Sequence, residues 1–449
     1  MELKVPASVQ QIIDKLIKNG YEAYIVGGCV RDGCLGKEPN DWDVTTSAQP
    51  CEIKRVFART VDTGIAHGTV TVLLGGAAIE VTTYRIDGEY KDNRHPDSVE
   101  FTTSLTQDLM RRDFTINAMA YNDKEGLIDE FGGKDDLEEQ VIRCVGESTQ
   151  RFGEDALRIL RAVRFSAQLG FNIDGATKSA ITKLAPTLAN ISAERIQVEM
   201  IKLVTSKRPQ VWRDVWALGI TKVIMPEFDE MMETKQNTPY HMYDVGEHTI
   251  KVMENVPSNR VLRLAALLHD VGKPIMRTTD EDGIDHFKRH SQAGEKIARD
   301  ILNRLKFDND TKNRVLRLVK WHDYRPQATP REVRHAVNKI GDDIFLDFLD
   351  LQYADTMGKS QDDRDEKTKL NNDLRQTYQK IKDEGQCISL KDLAISGKDL
   401  KDIGIKSGPL MGEILRKALE EVLDDPARNT KEYLLAKVKE EEYGVSRDL

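Results

Sequence analysis

The chain has 449 residues, more than a single hydrophobic core accommodates, so two to four domains are expected. Its five cysteines are odd in number and include no Cys-x-x-Cys pair, and its apolar runs are too short to cross a bilayer. These features argue against a disulfide framework, a zinc-thiolate site and a membrane protein, and they favour a cytoplasmic one.

Charge is distributed unevenly along the chain, whose formal net charge is −9. Lys and Arg against Asp and Glu number 15 against 25 in residues 1–140, which gives −10, and 11 against 6 in residues 141–210, which gives +5. Because local patches rather than the total charge attract phosphate backbones, the second segment is the one that suits a nucleic acid.

Helical and alternating patterns predict an α/β head, a mixed sheet with helices, over residues 1–140. Apolar residues at helical spacing precede a strand at Tyr24-Ile25-Val26, and two alternating runs joined at Gly75-Gly76 predict a hairpin. No strand pattern recurs beyond the head, so the remainder is predicted to be helical. The sequence predicts four domains: a head (1–140), a helical neck (141–225), a histidine-rich helical domain (226–360) and a helical tail (361–449).

Two glycines and a set of carboxylates predict a metal-dependent phosphoryl-transfer site in the head. In Gly27-Gly28-Cys29-Val30-Arg31-Asp32, Gly28 lets the backbone approach a phosphate closely, and Arg31 can neutralise it. Alternation in Asp41-Trp42-Asp43 places Asp41 and Asp43 on one face of a strand, about 7 Å apart, where they can hold one or two divalent cations. Glu80 on the hairpin is either a third metal ligand or an ordinary exposed glutamate.

An arginine-rich helix is predicted around Arg151–Phe165. Its apolar residues form one stripe, and the opposite half carries the charged residues Asp155, Arg158, Arg161 and Arg164. A charged helix face is often only solvated surface with i,i+3 ion pairs. Three arginines with a single acidic partner among them would instead leave uncompensated positive charge, which suits a triphosphate.

The histidine-rich domain predicts a second metal site. Its mixed imidazole and carboxylate set, of the kind that suits a hydrolytic divalent metal, consists of His248, His269, Asp270 and Asp355. Three further histidines could hold a second ion: His286, His290 and His322. A lone histidine is more often a core residue, but an ordered set is stronger evidence.

These motifs resemble those of a known family over nearly the whole chain. Gly27-Gly28-Cys29-Val30-Arg31-Asp32 with Asp41-Trp42-Asp43 resembles the head of bacterial CCA-adding tRNA nucleotidyltransferases and poly(A) polymerases, a branch of the DNA polymerase beta superfamily. Glu154-Asp155-Ala-Leu-Arg158 resembles that family's nucleotide-selecting motif. The histidine set resembles an HD phosphohydrolase domain.

The resemblance implies a function and roles for individual residues. Asp41 and Asp43 would hold Mg²⁺, Arg112 would contact the incoming nucleotide, and residues 86–98 would form a flexible loop. The partners implied are the tRNA 3′ end, CTP and ATP. The HD domain could take a second divalent metal, such as Mn, Ni, Fe or Co, and the glycine-punctuated tail would contact RNA.

Asp155 and Arg158 offer a physical rule for choosing the base. A carboxylate accepts a hydrogen bond from an exocyclic amino group, and a guanidinium donates one to the adjacent ring nitrogen. Cytosine and adenine share that pattern, whereas uracil and guanine present a carbonyl and a ring N–H. Three alternatives stay open: an A-adding enzyme, a poly(A) polymerase, and an HD phosphohydrolase whose head only binds nucleotide or RNA.

Overall fold

The computed structural model describes residues 3–88, 99–237, 243–359 and 364–440. These residues form two compact units, the first comprising 1–229 with 304–306 and the second 230–303 with 307–449. Among the described residues, no helix combines the length and apolar character needed to cross a bilayer.

The strands, in chain order, are β1 (Ala23–Val26), β2 (Asp43–Thr46), β3 (Thr60–Gly64), β4 (Thr69–Leu74), β5 (Ala77–Thr83), β6 (Arg85–Asp87), β7 (Val99–Phe101), β8 (Ala120–Asn122), β9 (Gly126–Ile128), β10 (Val141–Ile142), β11 (Asn172–Ile173), β12 (Thr278–Thr279) and β13 (Asp285–His286).

The α-helices are α1 (Ala7–Lys18), α2 (Gly28–Cys34), α3 (Pro50–Val56), α4 (Leu105–Met110), α5 (Gly133–Glu138), α6 (Ser148–Glu154), α7 (Leu157–Leu169), α8 (Gly175–Leu184), α9 (Ala193–Val204), α10 (Trp212–Ala217), α11 (Thr221–Ile224), α12 (Glu227–Glu233), α13 (Val245–Asn255), α14 (Arg260–Leu268), α15 (Lys273–Met276), α16 (His290–Arg304), α17 (Asn309–Trp321), α18 (Pro330–Ile340), α19 (Phe345–Met357), α20 (Arg364–Asp383), α21 (Gly397–Asp402), α22 (Pro409–Asp424) and α23 (Lys431–Lys439).

A seven-stranded mixed sheet forms the centre of the first unit, in the order β3-β4-β5-β2-β1-β8-β9. β2 runs parallel to β5 and antiparallel to β1, and the predicted hairpin is present as the antiparallel pair β4 and β5. The predicted mixed α/β head is therefore confirmed. The prediction that Asp41 and Asp43 share a strand is wrong, because β2 begins at Asp43 and Asp41 lies in the bend before it.

Two further predictions about local structure are wrong. Asp155 does not lie on a continuous helix, since α6 ends at Glu154 and Asp155 is extended, with φ −136° and ψ 104°. Strands also recur beyond the head, as the parallel pair β10 and β11 and the antiparallel pair β12 and β13. These strands have two residues each, too short to produce a periodic pattern. Of the predicted loop 86–98, residues 89–98 lie outside the described residues.

The second unit is otherwise helical, as predicted. α14 is buried from Val261 to Leu268 and packs against α13, α17 and α19. A separate apolar cluster forms the core of the C-terminal region, and its buried members include Leu400, Val422 and Leu434. The long helix α20 packs against α18 and α19 and buries Leu374, Tyr378 and Ile381.

Candidate functional site

A cleft of about 720 Å³ in the first unit brings together most of the predicted nucleotide-site residues. The predicted residues that line it are Gly28, Arg31, Asp41, Asp43, Arg112, Asp155, Arg158, Arg161 and Arg164. Glu80 is not among the lining residues, but it pairs with Asp43 in the register of β2 and β5. The site therefore combines carboxylates at the start of the central strand β2 with arginines from three segments that lie far apart in the sequence.

The Gly-Gly turn allows an arginine to approach the backbone. Gly27 has φ +79°, and a Cβ there would lie 3.1 Å from Nη1 of Arg112. Glycine is favoured here for two reasons: it adopts the left-handed backbone conformation without strain, and it has no Cβ to obstruct the guanidinium of Arg112. Next to it, Arg31 donates to Asn117 Oδ1 at 2.7 Å and forms an ion pair with Asp32 at 2.8 Å, so its guanidinium is held in place within the cleft.

The carboxylates of Asp41, Asp43 and Glu80 lie close enough together to repel one another. Desolvation by the surrounding protein raises the pKa of Asp43, the charges of Glu80 and Asp41 raise it further, and Arg112 lowers it. Crowded carboxylate oxygens are the ligand set that Mg²⁺ prefers, and a bound cation would relieve their mutual repulsion. The residues present therefore fit a magnesium site.

A buried aspartate that sequence reasoning missed positions the adjacent arginines. Asp108 is fully buried and pairs with Arg111 at 2.7 Å and Arg112 at 3.2 Å, while Thr45 of β2 donates to it at 3.2 Å. Burial opposes ionisation, but Arg112 and Arg111 outweigh it and hold the pKa of Asp108 below its usual range. Its position three and four residues before the arginines is a helical ion-pair spacing that could have revealed it.

The arginines of α7 are not uncompensated, so that prediction is wrong. Each has a carboxylate partner: Arg158 pairs with Glu154 at 2.6 Å, Arg161 with Asp113 at 2.6 Å, and Arg164 with Glu199 at 2.5 Å. Two of these partners come from segments far from α7 in the sequence. The cleft is consequently a network of paired charges rather than a bare cationic surface.

The two candidate base-selecting residues are each held by other contacts. Arg158 donates to the backbone carbonyls of Arg111 at 2.8 Å and Arg151 at 3.0 Å. Asp155 forms an ion pair with Arg195 at 2.8 Å, and Arg195 also lines the cleft. Arg195, which the sequence did not indicate as a site residue, thus directly contacts a candidate site residue.

Phe165 is a further lining residue that the sequence did not single out. Its ring centroid lies 3.9 Å from the guanidinium carbon of Arg164, 5.2 Å from that of Arg31 and 5.3 Å from that of Arg161. Cation–π attraction to one ring therefore helps to gather three guanidiniums around it.

The second unit contains a cluster of buried imidazoles and carboxylates: His248, His269, Asp270, His290, His322 and Asp355. The Nε2 atoms of His248 and His269 are 3.4 Å apart, and Asp270 Oδ2 lies 3.1 Å from His269 Nε2. Asp355 Oδ1 lies 3.1 Å from His248 Nε2. The structure therefore brings all four residues of the first predicted metal set together.

Within the cluster, His248, His269 and Asp270 form a first triad. Asp270 also belongs to a second triad, with His290 and His322. Their Nε2 atoms are 3.0 Å apart, and Asp270 Oδ1 lies 3.3 Å from His290 Nε2. His286 is not part of the cluster, because it is exposed and pairs with Asp280 at 2.7 Å. Its prediction as a ligand of a second ion is therefore wrong.

Each of the four imidazoles is oriented through its other nitrogen. Their Nδ1 atoms lie 2.7–3.2 Å from backbone carbonyl oxygens, those of Gly358 for His248, Ala266 for His269, Phe287 for His290 and Val319 for His322. Since a carbonyl only accepts, Nδ1 carries the proton and Nε2 points its lone pair into the cluster.

Lone pairs that face one another and face carboxylates are repulsive unless a cation lies among them. Burial lowers the pKa of His248 and His322, which disfavours their protonation, whereas Asp270 and Asp355 outweigh burial and raise the pKa of His269. Burial alone would raise the pKa of Asp270, but His269 and Lys273 lower it well below its usual range. The donors therefore fit two divalent cations that share Asp270.

Family models match three segments of the chain. They are described as "Poly A polymerase head domain" at residues 23–143, "Probable RNA and SrmB- binding site of polymerase A" at 170–232 and "tRNA nucleotidyltransferase domain 2 putative" at 278–438.

Similar proteins match nearly the full length of the chain. The CCA-adding enzyme of Ligilactobacillus salivarius is 36% identical over 430 residues, 95% of each chain, and that of Limosilactobacillus reuteri strain DSM 20016 is 35% identical over 96% of this chain and 95% of the relative. The crystal structure of the Bacillus stearothermophilus CCA-adding enzyme in complex with CTP is 28% identical, has a TM-score of 0.70 and covers 98% of each chain.

The mixed-sheet head and its matches place the chain in the class of nucleotidyltransferases with a poly(A) polymerase-type head. Within that class, the chain belongs to the family of CCA-adding enzymes, because a relative above 30% identity is matched over 95% of its length.

Proposed function

We propose that this protein adds C, C and A to the 3′ end of tRNA, using CTP and ATP and no nucleic-acid template. The observation that carries the proposal is the cleft that combines Asp41 and Asp43 with arginines of α7, in a chain of the CCA-adding family. The same family assignment counts against a phosphohydrolase whose head only binds RNA.

Asp41, Asp43 and Glu80 hold Mg²⁺. When bound, Mg²⁺ supplies charge neutralisation for the triphosphate and lowers the pKa of the attacking 3′ hydroxyl. Gly28, the first residue of α2, lets the backbone approach the phosphates, and Arg31 and Arg112 bind them together with the arginines of α7.

Asp155 and Arg158 select the base. Asp155 accepts from the exocyclic amino group of cytosine or adenine, and Arg158 donates to the neighbouring ring nitrogen. Uracil or guanine would place donors against donors and acceptors against acceptors, at a cost of roughly 1–3 kcal/mol for each unsatisfied buried group.

Product sizing on three tRNA transcripts tests the reaction. We expect a transcript that ends before CCA to gain three nucleotides, one that ends after C to gain two, and one that ends after CC to gain one. An A-adding enzyme would extend only the last transcript, and a poly(A) polymerase would produce long heterogeneous tails.

Substitution of the carboxylates tests the metal site. Asp41→Asn and Asp43→Asn should abolish addition while tRNA affinity stays at the wild-type level, and Glu138→Gln, on the surface helix α5, serves as the matched control. Normal addition by either folded aspartate variant would contradict the assignment.

A second activity is favoured by the buried histidine cluster. We infer that the second unit is an HD-type domain in which His248, His269, Asp270 and Asp355 hold one divalent metal. The triad of Asp270, His290 and His322 holds another. Such a centre supplies an activated water for the hydrolysis of phosphate esters.

Metal analysis and activity assays on one variant separate the two sites. His269→Ala should lower bound Mn, Ni, Fe or Co and any phosphatase or phosphodiesterase activity, whereas CCA addition should continue. His286→Ala is the matched control, because His286 lies outside the cluster. If His269→Ala stopped both activities equally, a single coupled site would replace this proposal.

We also propose a cytoplasmic location, which the proposed substrate and the free thiols support. Cys29, Cys34, Cys51, Cys144 and Cys387 are all free, as expected for a reducing compartment. Fractionation of cells into cytosol and membrane, with detection of the protein in each, checks this location.

A further inference from the structure

A groove of about 590 Å³ lies along α16 and α17 of the second unit, and its lining residues include none of the histidine cluster. Glu295 is the one acidic residue among the lining side chains. Five lining side chains are cationic: Arg299, Lys312, Arg317, Lys320 and Lys339. Three carboxamides stand between them: Asn303, Asn309 and Asn313.

Internal ion pairs account for only part of this charge. Glu295 is shared by Arg299 at 2.8 Å and Lys320 at 3.5 Å, and Arg317 pairs with Asp343 at 2.5 Å. Lys312 donates to the amide oxygen of Asn303 at 3.0 Å, which is a neutral partner. The lining set therefore keeps an excess of positive charge, which favours a polyanion.

Lys339 is held at one end of the groove by aromatic rings. Its ammonium lies 4.5 Å from the centroid of Trp321 and 4.3 Å from that of Tyr324, and these two rings meet edge to face at 6.1 Å. Cation–π contacts to two rings restrict a side chain that is otherwise flexible. The cation is thus positioned before any ligand binds.

We propose that this groove binds the sugar-phosphate backbone of the tRNA substrate. The proposal rests on the proposed CCA addition for the identity of the RNA. It goes beyond the region matched to an RNA-binding family model, because that match covers residues 170–232 and the groove lies on residues 295–339.

An RNA backbone fits better than a membrane surface. The lining residue Leu316 is buried and Trp321 is covered by Lys339, so the groove presents no protruding apolar side chain for insertion into lipid. Cations interleaved with carboxamides are the groups that contact phosphates and ribose hydroxyls. α16 and α17, with 15 and 13 residues, are each about 20 Å long, enough for several successive phosphates.

The test compares two double substitutions that remove the same charge from the second unit. K312Q/K320Q alters the groove, and K369Q/K380Q alters two lysines of α20 that do not line it. The probe is a tRNA transcript without CCA, with affinity measured over a series of salt concentrations. For the groove variant we expect roughly tenfold weaker binding and a salt slope smaller by about one to two, with the control unchanged.

Kinetics distinguish failure of the groove from failure of the proposed function. The groove variant should show a KM for tRNA about tenfold higher, with kcat at saturating tRNA equal to that of the wild type. If the wild-type protein does not extend tRNA, the proposed function fails, while the binding comparison still reports on the groove.

Two outcomes would overturn the proposal. One is tRNA affinity and salt slope in K312Q/K320Q equal to those of K369Q/K380Q. The other is that K312Q/K320Q binds phosphatidylserine vesicles more weakly than the wild type does but binds tRNA equally well. That result would make the groove a lipid-binding surface. K339Q provides a second, single variant at an exposed lysine, for which roughly threefold weaker tRNA binding is expected.

Discussion

The protonation of Asp43 should control the lower pH limit of nucleotide addition. Its pKa is raised by desolvation and by Glu80, and a carboxylate must be ionised to bind Mg²⁺. The ionised fraction therefore falls, as pH decreases, at a higher pH than for an ordinary aspartate.

Because Mg²⁺ and the proton compete for the same carboxylates, we expect a higher Mg²⁺ concentration to move the acid limb of kcat/KM to lower pH. The measurement is the rate of C addition between about pH 5 and pH 8 at two Mg²⁺ concentrations. An acid limb that does not respond to Mg²⁺ would remove Asp43 from the role of ligand.

Base selection should depend on Asp155 and Arg158 as a pair. Replacing both with alanine removes the favourable pairing with C and A as well as the unfavourable pairing with U and G. Selectivity should therefore fall more than triphosphate affinity, since Arg31, Arg112 and the other arginines remain.

Competition among the four nucleotides on a tRNA that lacks its terminal A measures this selectivity. Arg158 also donates to two backbone carbonyls, so circular dichroism must show that the variant is folded. Asp155→Asn is the milder companion, because asparagine can donate as well as accept and should admit U or G. A folded double variant that incorporates only ATP would place recognition elsewhere.

At the scale of elements, the contact between α7 and α9 depends on a buried ion pair. Arg164 and Glu199 have side chains exposed by only 8% and 6%, and burial lowers the pKa of Arg164 despite its partner. Removing one partner of such a pair leaves an uncompensated buried charge.

Glu199→Gln should therefore destabilise the first unit by about 3 kcal/mol. Glu194→Gln, at an exposed position in the first turn of the same helix, should change stability by less than about 0.5 kcal/mol. Urea unfolding followed by circular dichroism measures both. A loss in Glu199→Gln no larger than that in the control would show that the pair does not hold α7 against α9.

The elements show which structural features a sequence can predict. Gly27, Asp41 and Asp43 were found because the residues that act together are close in the chain. Before the break at Asp155 stands Gly153, but a single glycine inside a helical pattern does not by itself indicate where the helix ends. There, the side chain of Asp155 accepts from the backbone N–H of Leu157 at 3.1 Å, a local bond that competes with helix continuation.

Partners that meet only through folding were the main omission. Asp113 and Glu199 neutralise Arg161 and Arg164 from other segments, so a helical wheel of α7 alone left those arginines unpaired. The histidine set was predicted more fully, because residue chemistry restricts it. His286 was added wrongly, since its placement on the short strand β13 depends on a turn that periodicity does not reveal.

At the scale of the whole molecule, the two proposed metal sites lie in different compact units. The cleft belongs entirely to the first unit and the histidine cluster entirely to the second. A metal that binds the folded cluster should stabilise the second unit by mass action, by about 2.7 kcal/mol at a free concentration of 100 times Kd.

Scanning calorimetry of the full chain should therefore resolve a transition that shifts to higher temperature with Mn²⁺ or Ni²⁺ and returns on chelation. His269→Ala/His290→Ala, which removes one imidazole from each triad, should abolish the shift, whereas His286→Ala should keep it. Mg²⁺-dependent CCA addition by the double variant should persist at temperatures below its first transition. Equal metal shifts in the double variant and the wild type would mean that the stabilising metal binds outside the histidine cluster.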